Sequence, residues 1–169
     1  MPNYWLVKSE PSAYSWDDLV RDQVAEWDGV RNYTARNFMR DEMRVDDLVL
    51  FYHSASKPPA VVGVAKVARA GYPDYTAWDA ASDHPDPKST PEKPIWWMVD
   101  IAPLHPLPRP VSLEEVKRTP ELSEMALVRQ GRLSVQPVTE AEFKTVLSMG
   151  GAGSGEEFAF RIPSGRTGQ

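Results

Sequence analysis

The chain has 169 residues with a formal net charge of -5, 41% hydrophobic and 25% charged residues, and no cysteine. This length and balance predict one globular domain with a sizeable core, and the absence of cysteine excludes a disulfide scaffold or a thiolate site. The negative charge disfavours non-specific nucleic-acid binding, because such binding depends on basic residues that neutralise phosphates.

The first half of the chain predicts two strands and two helices. Residues 4–7 are aromatic and branched, which predicts a first strand, and Ser15 predicts the N-cap of a short helix. A turn is expected at residues 27–29, because Gly29 can adopt a positive φ. Apolar residues at four-residue spacing predict a helix over residues 33–43, and an apolar run predicts a buried strand over residues 47–54.

The second half predicts three more strands, over residues 61–67, 96–101 and 133–138. Gly63 lies inside the first of them and indicates a bulge or a close backbone approach. Residues 69–94 are rich in Pro, Asp and Ser and predict a long loop without regular structure. Short helices are expected to begin near three capping residues: Ser112, Thr119 and Thr139.

Short strands without regular strand–helix alternation predict a small α+β barrel. The composition turns glycine-rich after Met149, so we expect a folded domain over residues 1–149 and a flexible tail over residues 150–169. No apolar run approaches the ~20 residues of a membrane span, and the N-terminal residues lack a signal peptide. These features predict no membrane contact and a cytoplasmic location, or a nuclear one in a eukaryote.

Catalytic and metal chemistry find little support in the sequence. His53 and Ser54 are neighbours on a predicted strand, where their side chains point to opposite faces, so His53 cannot activate Ser54 as a nucleophile. The three histidines are scattered singly and no cysteine accompanies them, which predicts no metal site. A small enzyme that acts on a nucleotide, with His53 as its base, is an alternative hypothesis.

The segment from Trp27 to Arg40 is basic and opens on an aromatic residue, in a chain that is acidic as a whole. Trp27 could stack on a nucleobase or could plug the core. Asn32 could pair with a base edge or could cap the following helix, which the sequence favours slightly. Arg36 and Arg40 are candidates for phosphate contact.

Five motifs in order resemble the EVE domain family: YWLVKSEPSAYSWDDL, WDGVRNYTARNFMR, VLFYHS, DPKSTPEKPIWWMVDI and ALVRQGRLSVQPVT. The resemblance covers residues 2–147. It implies a PUA-like β-barrel of about five to six strands with flanking short helices, related to YTH and ASCH domains. It also implies a non-catalytic reader of a modified base, with 5-modified cytosine in DNA as the expected ligand and no cofactor; RNA binding is the alternative.

By the same resemblance, one aromatic pocket would gather the base-binding residues. These are Lys8, Ser9, Trp27, Arg31, Asn32, Asn37, Tyr52, His53, Ser54, Arg132 and Ser134. Within this set, Trp27 would form a wall, while Tyr52, His53 and Ser54 together would close one side. Whether Trp78 of the long loop joins the pocket is left open.

Overall fold

The computed structural model describes residues 3–153, and in this part of the chain six strands form one sheet. The strands are β1 (Tyr4–Ser9), β2 (Ala25–Glu26), β3 (Leu48–His53), β4 (Ala60–Pro73), β5 (Trp97–Ser112) and β6 (Val135–Val138). The α-helices are α1 (Trp16–Asp22), α2 (Tyr33–Asp41), α3 (Leu113–Lys117), α4 (Ala126–Arg129) and α5 (Glu140–Met149). Two 3₁₀ helices span Tyr75–Trp78 and Pro120–Leu122.

The strand order is β2-β5-β4-β3-β1-β6. Strand β1 runs parallel to β3, in a register that pairs Lys8 with Tyr52 and Ser9 with His53. All other neighbouring strands are antiparallel. The α+β class and the strand number are therefore as predicted, but within the described residues the sheet is open and not closed into a barrel.

Burial on both faces of the central strands accounts for the open sheet. Trp5 of β1 and Val49 of β3 pack into one hydrophobic cluster with α1 and α2. Leu6 of β1 and Leu50 of β3 pack into a second cluster with α3, α4 and α5. Because helices cover both faces, the sheet does not need to curl onto itself to bury its apolar side chains.

Local capping signals are confirmed by the structure. Three helices begin with a capping box, in which the N-cap hydroxyl and an acidic side chain three residues later exchange hydrogen bonds with the backbone. The pairs are Ser15 with Asp18, Ser112 with Glu115, and Thr139 with Glu142. Asn32 is the N-cap of α2, because its side-chain oxygen accepts a hydrogen bond from Ala35 N. The favoured interpretation of Asn32 as a cap is thus confirmed.

Strands β4 and β5 are much longer than the sequence predicts. Their register shifts at several points, and these irregularities accommodate the prolines of β5, which cannot donate to the ladder. Gly63 lies at one shift and also under the ring of Trp16, which is 2.7 Å from where a Cβ would stand. Both interpretations offered for this glycine are therefore confirmed.

Hydrogen bonds of its own side chains hold the polar loop before β5 in place. Trp96 Nε1 donates to the Asp86 carboxylate at 2.6 Å, and Ile95 N donates to Ser89 Oγ at 2.8 Å. Ser89 is fully buried. The first part of the same segment also has regular structure: β4 continues to Pro73 and a 3₁₀ helix spans Tyr75–Trp78. The prediction of a long segment without regular structure was wrong there, over residues 69–78.

The start of the predicted tail packs against α5. Ala152 N donates to Leu147 O at 2.8 Å, and the Ala152 side chain is buried. The remainder of the predicted tail, residues 154–169, lies outside the described residues. Among residues 3–153, no helix combines the length and apolar character that crossing a membrane requires.

A buried carboxylate joins the N-terminal strand to the segment before β3. Asp47 is 3% exposed and accepts hydrogen bonds from Trp5 Nε1 at 2.9 Å, Asn3 N at 3.0 Å and Arg44 N at 2.9 Å. We expect Asp47→Ala to lower the free energy of unfolding by about 3 kcal/mol, because three donors lose a charged acceptor. Urea denaturation measures this loss.

Asp41→Ala is the matched control, because Asp41 is an exposed carboxylate whose pair with Arg40 is at the surface. It should change the free energy of unfolding little. Equal losses from the two variants would contradict a stabilising role for the Asp47 hydrogen bonds.

Candidate functional site

A cavity of about 510 Å³ opens where β1 ends. We call it the first cavity. Its walls come from the end of β1 and the loop after it, from the turn over residues 25–31, and from the loop that carries His84. The lining residues are Lys8, Ser9, Glu10, Ala13, Tyr14, Ala25, Glu26, Trp27, Asp28, Gly29, Val30, Arg31, Asp83, His84 and Ser134.

Asp74 holds the turn in place from behind. Its side chain is fully buried and accepts hydrogen bonds from Gly29 N at 2.9 Å, Arg31 Nη1 at 3.0 Å and Thr76 N at 2.9 Å. Burial alone would raise the pKa of Asp74, but the hydrogen bonds from Thr76, Gly29 and Arg31 outweigh it and lower the pKa. Asp74 is therefore a structural anion that fixes the turn.

Gly29 lets the turn and the His84 loop meet. Its φ is +77°, and a Cβ at this position would stand 2.8 Å from the His84 ring. Arg31 completes the contact, because its Nη2 donates to His84 O at 2.8 Å and its guanidinium lies 5.4 Å from the centroid of the Trp96 ring. The glycine is required for both its conformation and its lack of a side chain.

Trp27 both lines the first cavity and packs on the core. Its ring meets Tyr14 edge-on at a centroid distance of 6.2 Å and Phe51 at 5.6 Å. Its backbone N donates to Val99 O at 2.8 Å. These contacts keep the half-buried ring rigid at the cavity wall, so the stacking surface and the structural plug are compatible roles for one side chain.

Carboxylates give the first cavity an acidic lining. Glu10, Glu26, Asp28 and Asp83 all reach it. Burial raises the pKa of Asp28, the charge of Asp74 adds to this effect, and His84 partly offsets it. The Asp28 carboxylate lies 3.7 Å from His84 Nε2. Hydrogen-bond acceptors are thus concentrated beside an aromatic wall.

Lys8 lies between the first cavity and a second one of about 490 Å³. Its Nζ donates to Gly131 O at 2.6 Å and lies 5.9 Å from the centroid of the Tyr52 ring. Burial lowers the pKa of Lys8. Ser134 also lines both cavities, so the two are neighbours across the Lys8–Ser134 boundary.

The predicted base-binding residues are distributed over several neighbouring cavities, and their role in binding a base stays a prediction. Five of them line the first cavity: Lys8, Ser9, Trp27, Arg31 and Ser134. Tyr52 and Ser54 line the second cavity. Asn32 and Arg132 line a third cavity of about 350 Å³. Asn37 and His53 line none of these three.

The side chains of Asn37 and His53, which line none of the three cavities, form hydrogen bonds elsewhere in the fold. Asn37 Oδ1 accepts a hydrogen bond from Arg36 Nε at 2.9 Å. His53 Nε2 lies 3.0 Å from Trp16 N, which donates to it. Burial also lowers the pKa of His53, so the imidazole is neutral and its ring nitrogen already has a donor. This arrangement does not favour His53 as a general base.

The two candidates for phosphate contact have partners in the fold. Arg36 Nη1 donates to Ile95 O at 2.7 Å, and its guanidinium lies 4.9 Å from the Tyr33 ring centroid. Arg40 pairs with Asp41 at 2.8 Å. Arg36 therefore ties α2 to the segment before β5, and phosphate contact by either arginine stays a prediction.

Sequence reasoning missed several lining residues. Tyr14 and Asp28 lie inside the quoted motifs, and their closeness to Ser9 and Trp27 in sequence is a signal that could have found them. His84 has no such signal, because it comes from a polar loop more than fifty residues after Trp27. Trp78, which the sequence left open, does not line the first cavity.

The comparisons agree with the resemblance seen in the sequence. The EVE domain family matches residues 3–149. Thymocyte nuclear protein 1 of Mus musculus is 40% identical in an alignment 168 residues long. The alignment covers 88% of the chain and 74% of that protein. The relative of the same name in Homo sapiens is 37% identical over 168 residues, with the same shares covered.

Two solved structures extend this likeness to the fold. A hypothetical protein from Leishmania major has a TM-score of 0.86 and 49% identity, covering 89% of the chain and 96% of that protein. Human THYN1 protein in complex with 5-methylcytosine containing DNA has a TM-score of 0.82 and 37% identity, covering 88% and 97%.

Asp74→Asn should destabilise the protein by about 3 kcal/mol at neutral pH, because an amide cannot accept from all of the buried donors. The folded state lowers the pKa of Asp74 below its usual value near 3.9. Its carboxylate therefore contributes stability above about pH 4, and this contribution is lost as the pH falls through the folded-state pKa.

Denaturant unfolding from pH 7 to pH 3 measures this effect. The gap in unfolding free energy between the wild type and Asp74→Asn should shrink below about pH 4. A gap that stays constant over this range would show that the ionised form of Asp74 is not what stabilises the turn.

Proposed function

The chain belongs to the EVE domain family, and we propose that it is a non-catalytic module that binds one 5-modified cytosine of DNA in the first cavity. The observation that carries this proposal is the juxtaposition of the rigid Trp27 ring with carboxylates inside one open cavity. A relative of known structure, human THYN1 protein, was solved with 5-methylcytosine containing DNA. That complex supports the choice of ligand.

The volume and the aromatic wall suit a flipped nucleobase. About 510 Å³ lies within the range of small-molecule sites. Taking a base out of the duplex costs a few kcal/mol, and stacking on an aromatic side chain returns ~1–3 kcal/mol per base. Because Phe51 and Tyr14 already hold the Trp27 ring, little further ordering is needed on binding.

The carboxylates favour cytosine over thymine. Cytosine presents an exocyclic amino group that donates hydrogen bonds, whereas thymine presents a carbonyl oxygen at the same position, and Asp and Glu side chains accept from the cytosine amine. Asp28 follows Trp27 directly and lines the cavity with a side chain that is 37% exposed. Ala13, Ala25 and Val30 supply apolar surface for a 5-methyl group.

A binding titration tests the proposal. DNA duplexes carrying unmodified, methyl-, hydroxymethyl-, formyl- or carboxyl-cytosine at one site would be compared with matched RNA by fluorescence anisotropy. We expect at least one 5-modified cytosine to bind about tenfold more tightly than the unmodified base. Equal affinity across the DNA panel would overturn the proposal, and tighter binding to RNA would replace DNA with RNA as the ligand.

Trp27→Ala should weaken binding of the preferred DNA about 10- to 100-fold, because it removes the stacking surface. Trp27 also packs on Phe51, so Trp27→Leu is a second variant that keeps apolar bulk without an aromatic face. Thermal unfolding reports whether either variant still folds. Folded variants that bind with wild-type affinity would contradict a stacking role.

Trp78→Ala is the matched control, since Trp78 is another half-buried tryptophan but does not line the first cavity. It should leave the affinity unchanged. A loss equal to that of Trp27→Ala would show that tryptophan removal acts through the fold and not through the cavity.

Asp28→Ala should reduce the preference for 5-methylcytosine over thymine at the same position about tenfold, because it removes an acceptor for the cytosine amine. The readout is the ratio of two dissociation constants, which a general weakening of binding would not change. Asp17→Ala is the control, because it removes the same charge from an exposed position on α1. An unchanged ratio in Asp28→Ala would exclude Asp28 as the group that selects cytosine.

A further inference from the structure

The second cavity lies directly across Lys8 from the first. Three residues line both cavities: Lys8, Glu10 and Ser134. The rest of the second cavity is formed by Tyr52, Ser54, Ala55, Pro59, Leu113, Leu127 and Gly131. The proposed site for one cytosine uses none of these seven residues.

Tyr52 is the reason to regard the second cavity as a binding site. The residue as a whole is 3% exposed, but its hydroxyl is not among the fully buried unpaired atoms of residues 3–153, so the oxygen reaches the cavity that Tyr52 lines. Burial raises the pKa of Tyr52, so the phenol is neutral and can donate as well as accept. A phenol hydroxyl that reaches an open cavity is available to donate to, or accept from, a polar atom of a ligand there.

The other walls of the second cavity select a flat and mainly apolar group. Leu113, Leu127 and Pro59 offer apolar surface, while Ser54 and Tyr52 offer hydroxyl groups. A nucleobase has this combination, because its two faces are apolar and its edge carries donors and acceptors. The volume of about 490 Å³ is close to that of the first cavity.

Lys8 supplies the charge that two linked nucleotides would need. An ammonium group has three N–H donors, and one of them is used on Gly131 O. The remaining donors lie at the boundary between the cavities, where a phosphate that joins two splayed nucleotides would pass. A lysine ammonium is a common partner for such a phosphate.

We propose that the second cavity binds the nucleobase adjacent to the modified cytosine, with the linking phosphate on Lys8. The inference rests on the proposed function, since it takes the first cavity as the site of the cytosine. The module would then recognise a dinucleotide step and not a single base. Tyr52 and Ser54 would contact the edge of the neighbouring base.

The test uses short single-stranded DNA with a central 5-methylcytosine and an abasic site placed on its 5′ or its 3′ side. For the wild-type protein, one of the two abasic substitutions should weaken binding about tenfold, because a base held by apolar walls and hydrogen bonds is lost. For Tyr52→Phe, the same substitution should weaken binding by less than about threefold. Fluorescence anisotropy measures both.

Tyr52→Phe removes only the hydroxyl that reaches the second cavity and keeps the ring that packs in the core. Its midpoint of thermal unfolding should match that of the wild type. The matched control is Tyr4→Phe, since Tyr4 packs on Phe143 in the same hydrophobic cluster and lines neither cavity. The control should keep the full dependence on the neighbouring base.

The outcomes separate the two proposals. A preference for 5-methylcytosine without any effect of abasic neighbours would overturn the second site and leave the proposed function standing. An abasic effect that is equal in Tyr52→Phe and in the wild type would also overturn the role of this cavity. Absence of any preference for a modified cytosine would overturn both proposals.

Discussion

The buried carboxylate of Asp74 is the interaction on which the first cavity depends. A carboxylate out of water is unfavourable unless hydrogen bonds surround it. Here Gly29 and Arg31 donate from the turn, and Thr76 donates from the 3₁₀ helix that Asp74 itself caps. The turn that carries Trp27 is thereby joined to the segment that leads to His84, and these bonds fix the shape of the cavity.

The sheet determines where polar groups can face solvent. Since helices cover both faces of β1 and β3, their interior positions are apolar, and polar side chains can emerge only where these strands end. Both strands run in the same direction, so Lys8 and Ser9 lie beside Tyr52 and His53 at one edge. Ser134, just before β6, joins them there. Both cavities open at this end of the strands, because the hydrophobic core ends there.

Short-range features could be predicted from the sequence, and long-range ones could not. The N-caps at Ser15, Ser112 and Thr139 and the turn at Gly29 depend on residues a few positions apart, and they were predicted. The pairing of Arg31 with Asp74 joins positions 43 residues apart, and no local pattern indicates it. The sequence also does not show which cavity each strand residue reaches. Neighbours on a strand face opposite sides, so Tyr52 lines the second cavity while His53 accepts a hydrogen bond from Trp16 N.

The charge of the first cavity determines which interactions would supply the affinity for DNA. Among residues 3–153, four carboxylates line it together with Lys8 and Arg31, and Arg31 is already paired with Asp74. Such a lining repels a phosphate backbone, so Lys8 would provide most of the local attraction. Non-specific affinity comes mainly from neutralised phosphates and falls steeply with salt. A module that neutralises few of them must gain its affinity from the base itself, through stacking on Trp27 and hydrogen bonds to the carboxylates. The acidic lining thus lowers the overall affinity for DNA. It also increases the share of the binding free energy that depends on the identity of the base.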